Sequence, residues 1–381
     1  MNIKESFEQY FGCTPSSVYR APSRINLIGE HLDYNGGSVL PAAISLYITA
    51  AVSLRNDSKV SVYSLNTNNG FEIDLKKIKK DSKYEWTNYV FGVFYILLRD
   101  GYVIPQGLNI MIQSEIPLGS GLSSSAALLV LITHLTSEIF SLGILPMEVA
   151  KLAQKVENEY LGLKSGLMDE AAIALAKEMN CLLLNCQTLE HEHIPLDLDD
   201  YTFVVLKTNV PRSLVSSKYN ERVEECQKGL SILKKHYKIH YLCELDVSEL
   251  NNIKKLIQDD VIYRRVKHVI SEQSRVNEFV SSLKKKDIRK LGLLLNESHL
   301  SLKNDYEVSG PYLDAIQESA INAGAIGARM TGAGFGGCAI ALIKKDSFSI
   351  FKERVLSEYF SKTKLNADVT LVEITSGPVK V

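Results

Sequence analysis

Apolar and polar positions alternate or recur along most of the chain, and the recurrences predict its elements. Val60 and Val62 alternate with Ser61 and Tyr63, the period of a half-buried strand. Val39–Leu46, Tyr47–Leu54, Leu108–Ser114 and Tyr201–Lys207 read as further strands, and 181–186 with 191–196 as a hairpin. Helical spacing governs other stretches. Residues 1–17 predict a short amphipathic helix and a turn, Trp86 opens a helix reaching Leu98, and a long apolar helix runs from Ser123 to about Phe140. Met147–Leu161 is apolar at Val149, Leu152, Ala153, Val156 and Tyr160, with Glu157 on or beside the edge of that stripe. A further helix spans Gly166–Ala176, with Asp169 in its first turn, where the helix dipole favours a carboxylate.

The pattern changes near residue 194. Ser216–Leu233 and Val261–Leu283 read as charged amphipathic helices, and Lys284–Lys286 as a solvated run. Residues 325–343 read as strand, glycine loop and strand, followed by a helix over 346–361 and a strand over 368–373. With no low-complexity linker or repeat, two domains are expected, 1–193 and 194–381. A length of 381 residues and 45% hydrophobic content allow substantial cores.

Charge narrows the function. A net charge of −1 and a pI of about 6.7 give no global electrostatic case for nucleic acid or an anionic membrane. The first ten residues are charged, unlike a signal peptide, and no apolar run reaches the ~18 residues of a membrane span. The six cysteines are scattered without a C-x-x-C pair, which suits reduced thiols in a cytoplasm rather than a disulfide framework or zinc site.

Three stretches carry candidate chemistry. In Pro117-Leu-Gly-Ser-Gly-Leu-Ser-Ser-Ser-Ala-Ala127, two glycines free the backbone where small hydroxyl residues open a helix. Unpaired N–H groups and the helix dipole would cradle a nucleotide phosphate there. It is not a Walker loop, and a plain strand-to-helix turn with serine caps is the other reading. The second stretch packs Arg24, Glu30, His31, Asp33 and Tyr34 beside Ile25, Leu27 and Ile28. Such crowding is costly unless the groups bind something, and Glu30 and Asp33 would present several acceptors to a small polyol. A charged surface loop is the alternative. In the third, Gly332, Gly334, Gly336 and Gly337 would let backbone approach a ligand closely, or simply make a hairpin. Glu157 and Asp169 each have an ordinary reading too, a solvated helix charge and a helix-start acid. Trp86 is either core or a stacking surface for a nucleobase.

Taken in order, the three motifs resemble those of the GHMP small-molecule kinases. Asn26-Leu-Ile-Gly-Glu-His-Leu-Asp-Tyr-Asn-Gly-Gly37 is similar to the galactokinase family signature, and Ser217–Arg222, Ser298–Gly310 and Gly327–Thr331 extend the likeness nearly end to end. The resemblance implies an α+β fold with a ribosomal S5-like N-terminal domain and a ferredoxin-like C-terminal domain, the active site lying between them. It implies that Asp169 accepts the proton of the sugar's anomeric hydroxyl or orients it, with Arg24 stabilising developing charge. Glu30, His31, Leu32, Asp33 and Tyr219 match the sugar site. Gly119, Ser120, Gly121, Leu122, Ser123, Ser124 and Ser125 match the phosphate loop. Ser125 and Glu157 match magnesium ligands, and Ser64 and Trp86 match positions near the nucleotide. The implied reactants are galactose and ATP with Mg2+, in a cytoplasmic monomer.

The chain departs from the family pattern where Leu32 replaces a threonine, Ser165 a cysteine, Glu170 a glutamine, Phe91 a lysine and Ser23 a glycine. Glu170, if it faces the cleft, would raise the pKa of Asp169. These changes bear on sugar preference more than on reaction class. N-acetylgalactosamine is an alternative substrate, and a sugar- and ATP-binding sensor is the reading from another class.

Overall fold

The computed structural model describes residues 2–117, 119, 121–163, 165–210 and 215–381, the last from residue 218 with side chains. Its larger sheet has six strands in the order Val379–Lys380, Ser17–Asn26, Pro41–Leu54, Leu108–Ser114, Lys59–Ser64 and Asn69–Asp74. All neighbours are antiparallel except Lys59–Ser64 on Leu108–Ser114. The two stretches expected as separate strands on either side of Leu46 form one strand, Pro41–Leu54. The physical reason is Pro22 in the facing strand. It has no N–H to donate, and the register jumps from Pro22↔Tyr47 to Ser23↔Ile44. That irregularity falls immediately before Arg24.

Helices Thr87–Arg99, Ser124–Ile139, Pro146–Lys155 and Met168–Ala174 pack together with this sheet. The expected helix over 147–161 is α-helical only to Lys155. Val156–Leu161 is a π-helical turn that ends on left-handed Gly162. The wider turn rotates Glu157 off the solvent edge, so it is 6% exposed. The predicted hairpin forms as Asn180–Asn185 and His191–Pro195, with Ser38–Val39 added at its edge.

A second sheet, fully antiparallel, runs Gly327–Thr331, Cys338–Lys344, Tyr201–Lys207 and Asp368–Leu371. Helices Ile288–Asn304 and Gly310–Asn322, which the pattern reading did not separate out, cover its Gly327–Thr331 edge through Leu291, Leu294, Leu295, Leu313 and Ile316. The long helix Asp260–Lys284 packs on helix Val215–Leu233 and on Ile288–Asn304. One continuous apolar core joins both sheets. No helix among the described residues is long and apolar enough to cross a membrane.

Candidate active site

The strand Ser17–Asn26 ends by bringing Arg24 beside the start of helix Met168–Ala174. The guanidinium is 4% exposed and grips Asp169 with both arms, Nε to Oδ1 and Nη2 to Oδ2, each at 2.7 Å. Its third arm donates to the Gly121 carbonyl at 2.9 Å. Asp169 also accepts from the Ser123 hydroxyl. Ser123 sits at the N-cap of helix Ser124–Ile139 with a left-handed backbone, φ 58, and does not cap it: its hydroxyl is turned to Asp169 instead. The glycine loop of the second sheet closes on the same point. A Cβ on Gly332 (φ 82) would lie 3.1 Å from the Gly121 carbonyl oxygen. The segment before helix Ser124–Ile139, the basic strand end and the C-terminal glycine loop are thus locked around one carboxylate.

Behind Arg24 the signature segment is held by a buried ionic network. Glu30, 2% exposed, accepts from Asn26 Nδ2 at 2.7 Å, from the Gly332 amide at 2.8 Å and from Arg329. Arg329 is fully buried, and donates to the Leu27 carbonyl at 2.7 Å. Glu272, from helix Asp260–Lys284, accepts from the Gly29 amide at 3.0 Å and from Ser298 at 2.7 Å. Burial pushes the Glu30 carboxyl up, against the pull of Arg329. Burial acts on Glu272 in the same sense, but Arg275 and Arg329 overcome it and hold that carboxyl at about 2.

The resulting cleft is lined by Arg24, Glu30, His31, Asp33, Glu157, Ser165, Gly166, Met168, Asp169, Glu170, Tyr219, Gly332 and Ala333. Seven of the expected residues therefore meet: Arg24, Glu30, His31, Asp33, Glu157, Asp169 and Tyr219. Burial, reinforced by the charge of Asp169, lifts Asp33 to about 6. Burial depresses His31 to about 3, so its ring is neutral. Glu157 is also raised by burial, and Asp169 adds to the effect, while the Ser165 and Ser125 hydroxyls oppose it. Glu170 departs furthest. It is fully buried with no cation to pair with among the described residues, and its pKa is pushed well up by burial and then by Glu157 and Asp169.

Other expected residues are placed differently. Leu32 is fully buried in the apolar core and does not line the cleft. Ser64 is buried and caps the following turn, its Oγ accepting from the Asn66 amide at 3.2 Å. Trp86 packs against the core and donates to Asn69 at 2.8 Å. Ser64 and Asn69 face each other across one hairpin, so Ser64 and Trp86 share that corner, outside the cleft lining. Gly119 (φ 66) and Gly121 (φ 79) use left-handed backbone, Leu122 is buried, and Ser124 and Ser125 are half-buried in the helix's first turn. Ser120 lies outside the described residues. Arg329, Glu272 and Gly332 were not expected to hold the site. The glycine loop and the Gly327–Thr331 stretch were the available signals for two of them, and Glu272 had none.

A helix start reached through left-handed glycines, a carboxylate locked to an arginine and a recess lined by charged groups between two sheets are the arrangement expected of a GHMP kinase. The family model for the GHMP kinases N terminal domain matches residues 88–177, and that for the GHMP kinases C terminal domain matches 279–362. The galactokinase galactose-binding signature matches residues 5–54. The galactokinase of Clostridium perfringens is 42% identical over 384 residues, covering 100% of this chain and 99% of that protein. That of Clostridium tetani is 44% identical over 359 residues, 94% and 91% of the two chains. The crystal structure of Lactococcus lactis galactokinase complexed with galactose superposes with a TM-score of 0.95 at 41% identity, covering 100% of this chain and 99% of that one. The chain belongs to the galactokinase family. Methanococcus jannaschii mevalonate kinase, at 22% identity and a TM-score of 0.69 over 94% of this chain and 98% of that one, shares the fold.

Proposed function

We propose that this protein transfers the γ-phosphoryl group of ATP to the anomeric hydroxyl of galactose. The observation that carries the reading is the Arg24–Asp169 pair at the floor of the cleft, facing the start of helix Ser124–Ile139. Phosphoryl transfer needs positioning and charge neutralisation more than covalent catalysis. In this reading Glu30, His31, Asp33 and Tyr219 orient the sugar. Asp169 takes the proton of the attacking hydroxyl or aligns it, and Arg24 holds that carboxylate in place while stabilising charge that develops beside it. Phosphate oxygens would meet the amides of Gly119 and of residues 121–125, with Ser64 and Trp86 toward the rest of the nucleotide.

The donor set suits magnesium: the Ser125 hydroxyl and the Glu157 carboxylate are hard oxygens. Glu157 is crowded by the negative charge of Asp169, a setting that a cation relieves. Those two residues would hold Mg2+, which when bound neutralises phosphate charge. The reading places the enzyme in the cytoplasm as a monomer. Six free cysteines support a reducing compartment.

The test is ADP release by the purified protein with Mg-ATP and galactose, 2-deoxygalactose, glucose, N-acetylgalactosamine, galacturonate or mevalonate. Turnover confined to galactose and its 2-deoxy analogue is the expected result. Preference for N-acetylgalactosamine would keep the mechanism and move the substrate. Binding of galactose and ATP without turnover would make the protein a sensor.

A further inference from the structure

His31 carries a feature that sugar contact alone does not explain. Its backbone is left-handed (φ 66), its ring is buried at the cleft wall, and its Nε2 has no hydrogen-bond partner. The opposite ring nitrogen is fully engaged. Nδ1 lies 2.9 Å from the Tyr34 hydroxyl, which lies 2.8 Å from the Tyr306 hydroxyl, which lies 3.0 Å from the Cys226 sulfur. Tyr306 is fully buried and packs between two imidazoles, 4.7 Å from His31 and 4.4 Å from His268 by ring centroids. The four residues of these three contacts come from three separate parts of the chain: the signature turn, the segment after helix Ile288–Asn304, and helix Val215–Leu233. The relay therefore forms only when the elements of both sheets are assembled.

We propose that Tyr34 and Tyr306 are positioning residues that lock the His31 ring in one tautomer and aim its Nε2–H at a single hydroxyl of the sugar. In this proposal Cys226 gives its hydrogen to Tyr306, Tyr306 to Tyr34, and Tyr34 to Nδ1, which leaves the one imidazole hydrogen on Nε2, facing the cleft. The opposite order would place that hydrogen on Nδ1 and leave the Cys226 hydrogen without an acceptor in the relay. Burial raises the Cys226 thiol to about 11, so it keeps the hydrogen that starts the chain. A neutral ring with its donor already turned outward spends no binding energy on reorientation. The relay thus extends sugar recognition to residues that never touch the sugar.

This inference rests on the galactose reading, and its test separates the two. Nitrogen-15 NMR of histidine-labelled protein, read without turnover, should show His31 as one Nε2–H tautomer in the wild type and a mixture in Tyr306→Phe. With galactose, Tyr306→Phe should raise KM by the inverse of the remaining Nε2–H fraction, about twofold for an even mixture and about tenfold if one ring in ten keeps that tautomer, and leave kcat unchanged. Among monodeoxy galactoses, one analogue alone should lose no further affinity in Tyr306→Phe, because its missing hydroxyl is the one His31 meets. Cys226→Ser, which keeps a donor, should behave as wild type. An unchanged tautomer and KM in Tyr306→Phe would overturn the proposal, as would a uniform loss across all the deoxy sugars. A wild type that ignores galactose yet shows the locked tautomer would overturn only the substrate.

Discussion

Arg24 and Asp169 stand 145 residues apart in sequence and meet through two parallel hydrogen bonds of 2.7 Å. A planar fork against a carboxylate is geometrically specific, and lysine cannot reproduce it. The same arginine ties the Gly121 carbonyl, so the distance from Asp169 to the phosphate loop is set by one rigid side chain. Asp169→Asn keeps the shape and removes the base. Turnover should fall on the order of 10²- to 10⁴-fold with galactose affinity close to wild type, while the thermal unfolding midpoint drops because the buried Arg24 loses its counter-charge. Arg24→Lys should cost on the order of tenfold or more in kcat. A rate for Asp169→Asn within a factor of a few of wild type would remove Asp169 from the chemistry.

In the proposed reading Asp33 should make sugar affinity depend on pH. Its carboxyl titrates at about 6 because it is buried and faces Asp169. A carboxylate accepts from sugar hydroxyls on both oxygens, whereas the protonated group has less acceptor capacity. Affinity should be full above pH ~6 and weaken below it, about tenfold for each further pH unit. Binding isotherms for galactose between pH 5 and 8 measure this directly. In Asp169→Asn the neighbouring charge is gone, so the acidic limb should move to lower pH. A limb that stays in place would mean that another group controls binding.

Arg329 lies at the centre of the network that links the two sheets. It is fully buried and pairs with Glu30, with Glu272 3.8 Å away. Replacing it with methionine keeps the volume and strands at least one buried carboxylate. Breaking a buried pair this way costs about 3–5 kcal/mol. Urea unfolding of Arg329→Met should show a loss of that order, and galactose affinity should fall with it, since the Gly332 amide and Glu30 move together. A loss under about 1 kcal/mol would mean that the pair merely fills space.

Much of this arrangement was legible because the family's motifs are short and local. Arg24, Glu30, His31 and Asp33 fall within ten positions, and their chemistry is visible without knowing where the chain turns. What a segment does at long range was not legible. Arg329 occupies an apolar-looking strand, and only the fold aims its side chain at Glu30. Tyr306 and Glu272 look like ordinary residues until helices from different regions bring them to the signature turn. Glu157 was expected at a helix edge because the α period was carried to Leu161, whereas a π-helical turn sets in at Val156. Pro41–Leu54 was read as two strands, and only the pairing shows one strand that runs through the register shift opposite Pro22. Leu32 took its expected place from the motif alone, and the side chain's apolar character sends it to the core.

Glu170 offers the clearest separation between what the site does and what it costs. Its carboxyl is fully buried with no cation to pair with among the described residues, and its pKa is raised well above the ordinary value, first by burial and then by Glu157 and Asp169. The folded protein therefore holds a proton there that the unfolded chain releases above pH ~4.5. The sign follows: the folded state is favoured below that pH and loses about 1.4 kcal/mol per pH unit as pH rises toward the folded value. Glu170→Gln has nearly the same shape and no proton to keep. In metal-free protein, its stability advantage over wild type should be small at pH 5 and grow as the pH rises from there, as read from urea unfolding. Parallel stability curves for the two proteins would mean that Glu170 is not held neutral. An advantage that grows as predicted would show that this chain bears a pH-dependent penalty from which glutamine at the same position is free.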